Sequence, residues 1–453
     1  MGAIVWLADS APALAQSEAQ PAEGESAPAP AASTDADQPA ADQAPADSSA
    51  SDSGDGGTDI FSRNTLFVLL DGRIALANGE RSWTNRGLGK TRFQGTHDGD
   101  YRVTAAPVEA DLVWIPRFTR SLSANVSVAW QRDQENAVDL LEAFVNFLPE
   151  RTGKVGFSAR AGLMWPEISL EHSTGGAWTV VNTITPSTIN AWVGEEVKLV
   201  GVEGTLHLSL GEHELSTTAG IFGFNDTSGT LLSFRGWALH DEKATAFGHF
   251  KLPPLNRFIT NAQEHRTRSL IELDDRPGFY GRLDWRPPWP FGAALFYYDN
   301  RGDPEEFTRN LQWGWRTRFW NLGVNADLGS STKLLAQGMT GSTIMGFRVN
   351  GVRWVHTRFR SAYALVTHQF DDRLAVTGRI EAFGTTERGS EMSRDESEHG
   401  WSTTVAARYT INTNLTALVE ALNVRSRRGT RVNLGLSPFQ AQTVFQASLR
   451  FKL

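Results

Sequence analysis

The chain of 453 residues has no cysteine, so a disulfide framework, a thiolate metal site and a cysteine nucleophile are all excluded. It also lacks any stretch approaching the roughly 20 apolar residues that cross a bilayer as a helix, which excludes a helical membrane protein. Lysine is scarce, at seven residues, and the first 59 residues contain neither lysine nor arginine. What is abundant is 42 glycines, 15 tryptophans and 25 phenylalanines, a composition that suits many short twisted strands.

The formal net charge of -8 is unevenly distributed. Eleven of the 51 acidic residues precede Ile60, and the remainder carries 43 Lys and Arg against 40 Asp and Glu, an excess of +3. So small an excess gives no basis for nucleic-acid binding. In the opening MGAIVWLADSAPALAQ, the apolar run Ala3 to Leu7 and the A-x-A pattern at Ala13 to Ala15 predict a signal peptide over residues 1–15. The missing basic segment and Asp9 within the run point to a start placed too far downstream. Residues 16–59 are Ala, Pro, Asp, Glu, Ser, Gln and Gly almost throughout, without an aromatic side chain. They cannot bury enough surface to offset chain ordering, and are expected to be a disordered acidic periplasmic spacer.

From residue 60 onward the dominant signal has period two. At the C-terminus Phe445, Ala447, Leu449, Phe451 and Leu453 alternate with Gln446, Ser448, Arg450 and Lys452. Such alternation places successive side chains on opposite faces of a strand. It recurs in Leu122 to Gln131, Val155 to Trp165, Phe279 to Arg286, Trp313 to Phe319 and Trp401 to Ile411, each about ten residues long, the length of a tilted membrane strand.

Two features favour a membrane barrel over a soluble sandwich. Trp114, Trp130, Trp165, Trp285 and Trp401 fall near segment ends, where aromatic girdles belong. Short turns, such as those near Pro149 to Lys154, Gly211 to Glu214 and Asn412 to Asn414, alternate with long polar connections at roughly 166–191, 240–277, 299–311, 384–400 and 425–440. The expectation is an all-β transmembrane antiparallel barrel over residues 60–453, with about 16 strands (14–18) because Thr65 to Tyr101 and Gly329 to Asn350 resist division. Its place is the outer membrane of a Gram-negative cell, in contact with lipid and lipopolysaccharide.

VDLLEAFVNF, which begins at Val138 and runs into the tract Leu140 to Gly201, a short turn, VGFSARAGLMWPEISLEH and then INAWVGEEVKLVG together resemble the phosphate-selective porin O/P family. The likeness covers about a seventh of the chain, with Met164, Trp165, Pro166 and Glu167 where that family has a glycine-containing segment before a pore-folding loop. It implies a 16-stranded barrel, a homotrimer and passage of anions. Leu453 replaces the usual terminal aromatic residue, and seven lysines scarcely supply a phosphate-selecting cluster.

The polar phases of these segments place Arg160, Arg282, Arg286, Arg316, Arg318, Arg358, Arg360, Arg379 and Arg408 toward the lumen as an anion ladder. The competing reading pairs them with Glu142, Glu203, Asp284 and Glu381 as a neutral polar lining. Glu167, Glu171 and His172 begin the segment expected to fold inward as a constriction. GLGKT at Gly87 to Thr91 lacks the first glycine of a phosphate-binding loop, there is no G-x-S-x-G elbow, and no histidines have ligand spacing. No enzyme activity, metal or cofactor is therefore expected. The functional expectation is passive diffusion of small hydrophilic solutes or anions. The alternatives are a secreted carbohydrate-binding or carbohydrate-degrading β protein, with tryptophans stacked on sugars, and a non-conducting structural or adhesive barrel.

Overall fold

The structure, a computed structural model, describes residues 58–173, 176–255, 259–390 and 396–453. The expected signal peptide and nearly all of the acidic spacer lie outside them.

Sixteen antiparallel strands close into one barrel. The first seven are β1 (Leu66–Ala77), β2 (Arg102–Trp114), β3 (Leu122–Gln131), β4 (Asp139–Phe147), β5 (Val155–Met164), β6 (Leu199–Leu210) and β7 (His213–Gly223). A two-stranded ribbon, β8 (Phe250–Lys251) with β9 (Arg266–Thr267), interrupts the series. The wall then continues through β10 (Gly278–Arg286), β11 (Phe291–Asp299), β12 (Arg316–Asp327), β13 (Thr332–Val349) and β14 (Val352–Gln369). It ends with β15 (Leu374–Glu387), β16 (Glu398–Asn412), β17 (Leu415–Arg428) and β18 (Phe439–Lys452). The C-terminal strand β18 pairs with β1, Leu70 opposite Phe451, so the sheet has no edge.

Connections on one rim are short, down to two residues at 211–212 and 413–414. The opposite rim carries residues 78–101, 165–198, 224–277 and 300–315. The third is longer than the sequence suggests, because residues 224–239, apolar enough to resemble wall, contain the short helix α2 (Thr230–Phe234) instead. On this rim β13 and β14 are joined only by Asn350 and Gly351, both at positive φ (50° and 83°), as a tight hairpin turn requires.

Period-two alternation sorts side chains between lumen and exterior. On β5, Val155 and Phe157 are exposed while Arg160 is half-buried; on β18, Phe445 is exposed and Gln446 and Ser448 are buried. Ile221 and Ile380, each 65 % exposed, belong to an outward apolar surface that water would oppose and lipid accepts. Glycines accommodate inward aromatic rings on neighbouring strands: a Cβ at Gly220 would collide with Tyr280, and one at Gly341 with Phe359. Ile380→Arg, at mid-height on this surface, is expected to cost about 2–4 kcal/mol of barrel stability in lipid. The same change at Thr386, near the rim, should cost far less; denaturant titration in liposomes compares them.

Candidate functional site: a lumen crossed by loops

The loop of residues 165–198 contacts β4 through Lys198 and Leu141, β13 through Asn190 and Gln337, and β17 through Ile184 and Glu420. A single segment can reach these separated strands only by crossing the lumen. Its helix α1 (Thr188–Glu196) is capped by Ser187, whose hydroxyl accepts from the Asn190 N–H. Ile189, Trp192, Val193 and Val197 recur at helical spacing, and every residue of α1 is buried.

Arg379 of β15 holds this loop to the wall. Its guanidinium donates to Glu171 at 2.9 Å, to Glu381 at 3.2 Å and to the carbonyls of Thr185 (2.8 Å) and Pro186 (3.1 Å). Glu381 in turn accepts from the Thr188 N–H at 2.8 Å, and Glu420 accepts from the N–H groups of Ile184 and Thr185 at 2.7 and 3.0 Å. These carboxylates therefore satisfy backbone donors that the lumen would otherwise strand without water.

The connection after β7 also enters the lumen, through residues 228–243. Arg235 makes a two-pronged pair with Glu195 of α1, both bonds 2.6 Å, and His240 lies 2.9 Å from the same carboxylate. Asp241 binds Arg73 of β1 and Arg92, while Lys243 pairs with Glu109 at 2.5 Å. The GLGKT stretch is part of this packing, since Lys90 pairs with Glu398 and donates to the Trp237 carbonyl at 2.8 Å. Across the middle, Trp192 of α1 packs edge-on against Trp237 (6.2 Å between centroids) and Phe319 (5.3 Å), with Phe359 at 5.2 Å. A wall of 16 strands is wide enough for an aqueous channel, and these loops narrow it.

Toward the short-turn rim a cavity of about 250 Å³ remains. Asp71, Arg73, Asp111, Arg408, Arg450 and Lys452 line it together with Trp178 and Leu418, and it reaches Thr413 and Asn414 of the β16–β17 turn. Arg450 donates to Asp71 at 3.2 Å and to the Val180 carbonyl at 2.6 Å. The Arg408 Nε has no hydrogen-bond acceptor among the described residues.

The expected ladder divides in two. Arg160, Arg282, Arg286, Arg379 and Arg408 occupy the lumen phase, most of them neutralised: Arg160 binds Glu203 at 2.5 Å, and Arg282 binds Asp284 at 2.6 Å. Arg286 lies exposed at the short-turn end of β10, opposite Glu214. The other four are corrections. Arg316 and Arg318 share the exposed phase of β12 with Trp320 and Leu322, and Arg358 and Arg360 that of β14 with Ala362 and Val366. Their neighbours Thr317 and Phe319 point inward instead, onto Ser228 and Trp192. Over Trp313 to Phe319 the aromatic side chains pack on lumen loops rather than lipid, so along that stretch near the long-loop rim the apolar phase is the inner one.

Of the expected constriction residues, Glu171 is buried at the Arg379 hub. Glu167 is exposed, 3.4 Å from Arg160. His172 is half-buried and stacks on Trp178 at 3.6 Å between centroids. Sequence reasoning missed Arg235, Glu195, Glu196, Asp241, Glu242 and Lys243, whose partners are set by loop paths that no local pattern encodes. Asp226, Glu272 and Asp274 place carboxylate oxygens within 4.8 Å of one another, but backbone N–H groups of Leu273, Phe224 and Asp303 already donate to them.

Glu242 is buried in the 224–277 loop, and burial, with Asp133, Glu195 and Asp241 nearby and Arg92 opposing them, pushes its carboxyl up to about 8. A carboxyl whose pKa rises from 4.5 on folding binds its proton more tightly in the folded state. Its contribution is complete below the ordinary value and is lost as pH rises to about 8. Limited proteolysis of this loop should therefore accelerate between about pH 5 and about pH 8. Glu242→Gln should flatten part of that rise; an unchanged slope would remove Glu242 as its source.

No protein-family model matches the chain, and no curated protein matches it by sequence. Among solved structures, the outer-membrane channel DcaP of Acinetobacter baumannii aligns with a TM-score of 0.51 at 8% identity, over 88% of this chain and 98% of that one. The fold is that of an outer-membrane channel. An anion-selective porin of Comamonas acidovorans (TM-score 0.47, 8% identity, 86% and 99% covered) and a loop-deleted OmpT of Vibrio cholerae (0.48, 9%, 86% and 99%) are more distant in shape. A closed barrel of this fold with an apolar exterior lies in the outer membrane of a Gram-negative cell.

Proposed function

We propose that the protein is a passive channel for small hydrophilic solutes, with no enzymatic activity, narrowed by its own loops. The observation that carries this reading is the inward path of residues 165–198, pinned at Arg379 and leaving a charged cavity at the short-turn rim. The alternation that would suit a carbohydrate-binding protein also suits a lipid face, where Trp320 stands outward beside Tyr297 and Leu322, and Trp401 outward beside Ala382.

A weak anion preference is part of the proposal. Most lumen arginines are paired, but Arg408 is not ion-paired among the described residues, and Arg450 and Lys452 share its cavity. The resemblance to the phosphate-selective family adds the homotrimer and anion passage, although a phosphate ladder finds little support. Lys90, Lys198 and Lys243 are engaged by Glu398, by the Leu141 carbonyl and by Glu109. Reversal potentials in a salt gradient test the preference. The intact chain should favour anions slightly and Arg408→Glu should favour cations; cation preference in the intact chain would contradict the assignment.

The layer of Trp192, Trp237, Phe319 and Phe359 across the lumen favours a second reading, a barrel that does not conduct. Bilayer recording separates the two.

A further inference from the structure

The four outward arginines lie in a defined band. Trp320, Thr340 and Arg360 face one another across β12, β13 and β14, and two residues nearer the long-loop rim Arg318, Ser342 and Arg358 do the same. Arg316 is one step further on, in register with Ile344 and His356. Below the Trp320 row the outward phase reads Leu322, Val324 and Ala326 on β12, and Gly338, Ala336 and Leu334 on β13. On β14 it reads Ala362, Ala364 and Val366. No acidic residue occupies this phase on the three strands.

Height locates the band. Arg360 is nine residues above Gln369, the last residue of β14. At about 3.4 Å per residue and a tilt of about 40° it stands roughly 23 Å above the short-turn rim, at the top of an apolar band about 25 Å tall. Trp320 packs on Tyr297 at 4.6 Å between centroids, marking the aromatic girdle at the same level. Arg318 and Arg358 stand above it, in the headgroup layer of the outer leaflet. Arg316 is held at 3.1 Å by Asp299, but Arg318, Arg358 and Arg360 have no ion pair among the described residues. Unpaired guanidinium groups at a lipid interface favour a multivalent anion that accepts paired hydrogen bonds, and Thr340 and Ser342 add hydroxyl donors between them.

We propose that Arg318, Arg358 and Arg360 form an outward docking site for the phosphate groups of an outer-leaflet phosphorylated glycolipid, a lipopolysaccharide. The site lies on the lipid face, outside the lumen, and its existence does not depend on whether the barrel conducts.

The test uses the full chain folded in detergent and purified lipopolysaccharide, before and after enzymatic removal of its phosphates. Binding is read as a dissociation constant by native mass spectrometry. The Arg318→Gln, Arg358→Gln, Arg360→Gln triple variant should bind at least about tenfold more weakly, as loss of charge-assisted hydrogen bonds implies. The corresponding triple lysine variant, which keeps the charge but loses the paired hydrogen bonds, should bind between the intact chain and the glutamine variant, and heat-modifiable gel migration should be unchanged in both. The intact chain should lose affinity for the dephosphorylated lipid to the same degree, a comparison that needs no variant to fold. Equal affinity of the intact chain for both lipids overturns the proposal. So does a triple glutamine variant that binds lipid normally but loses its oligomeric state on size-exclusion, which would make the patch a contact between copies of the chain.

Discussion

Arg379→Leu is expected to destabilise the barrel by about 3–5 kcal/mol, the cost of leaving buried charges without their partner. Arg379 is fully buried, as is Glu381, and Glu171 nearly so. Without the guanidinium, the two carboxylates face each other's environment with only hydroxyl, amide and backbone donors. The variant should lose its compact gel form at a lower temperature, and proteolysis between Pro166 and Trp192 should accelerate. Adding Glu171→Gln and Glu381→Gln should recover most of the loss, because the remaining groups are then neutral and hydrogen-bonded. If the single variant melts with the intact chain, Arg379 is not the anchor of the loop.

Excising residues 183–196, with a short Gly-Ser link between the flanks, should accelerate entry of a neutral sugar into proteoliposomes several-fold. The excision removes α1 and with it Trp192, the ring that bridges Phe319, Phe359 and Trp237 across the lumen. It exposes Glu381, Glu420 and Arg235 to water, so the widened passage is polar. Unchanged swelling in a variant that retains heat-modifiable migration would show that this loop does not set the narrowest point.

The barrel was legible in the sequence wherever the lumen is wet and the exterior is lipid. Val155 to Met164, Phe279 to Arg286 and Phe439 to Lys452 have the phase that their alternation predicts. The rule inverted at the long-loop ends of β12 and β14 because Phe319 and Phe359 pack against α1, so there the apolar side chains face inward and the arginines face out. The pairing of Arg160 with Glu203 and Arg282 with Asp284 follows the neutral polar lining that the sequence allows as the alternative to an anion ladder. The loop network was not, because Arg235, Glu195 and Asp241 meet only after two long connections cross. Helices of nine and five residues leave too short a periodic trace to be read inside polar segments. The tract Gly329 to Asn350 could have been divided from its own residues, since Asn350-Gly351 is a tight hairpin signal between two alternating runs.

Single-channel recording of the intact chain in a planar bilayer tests the central claim most directly. A loop-narrowed channel predicts discrete, small current steps with a reversal potential displaced weakly toward anions. A membrane that stays silent while the inserted protein is folded and heat-modifiable would contradict it and leave a barrel closed by its own loops.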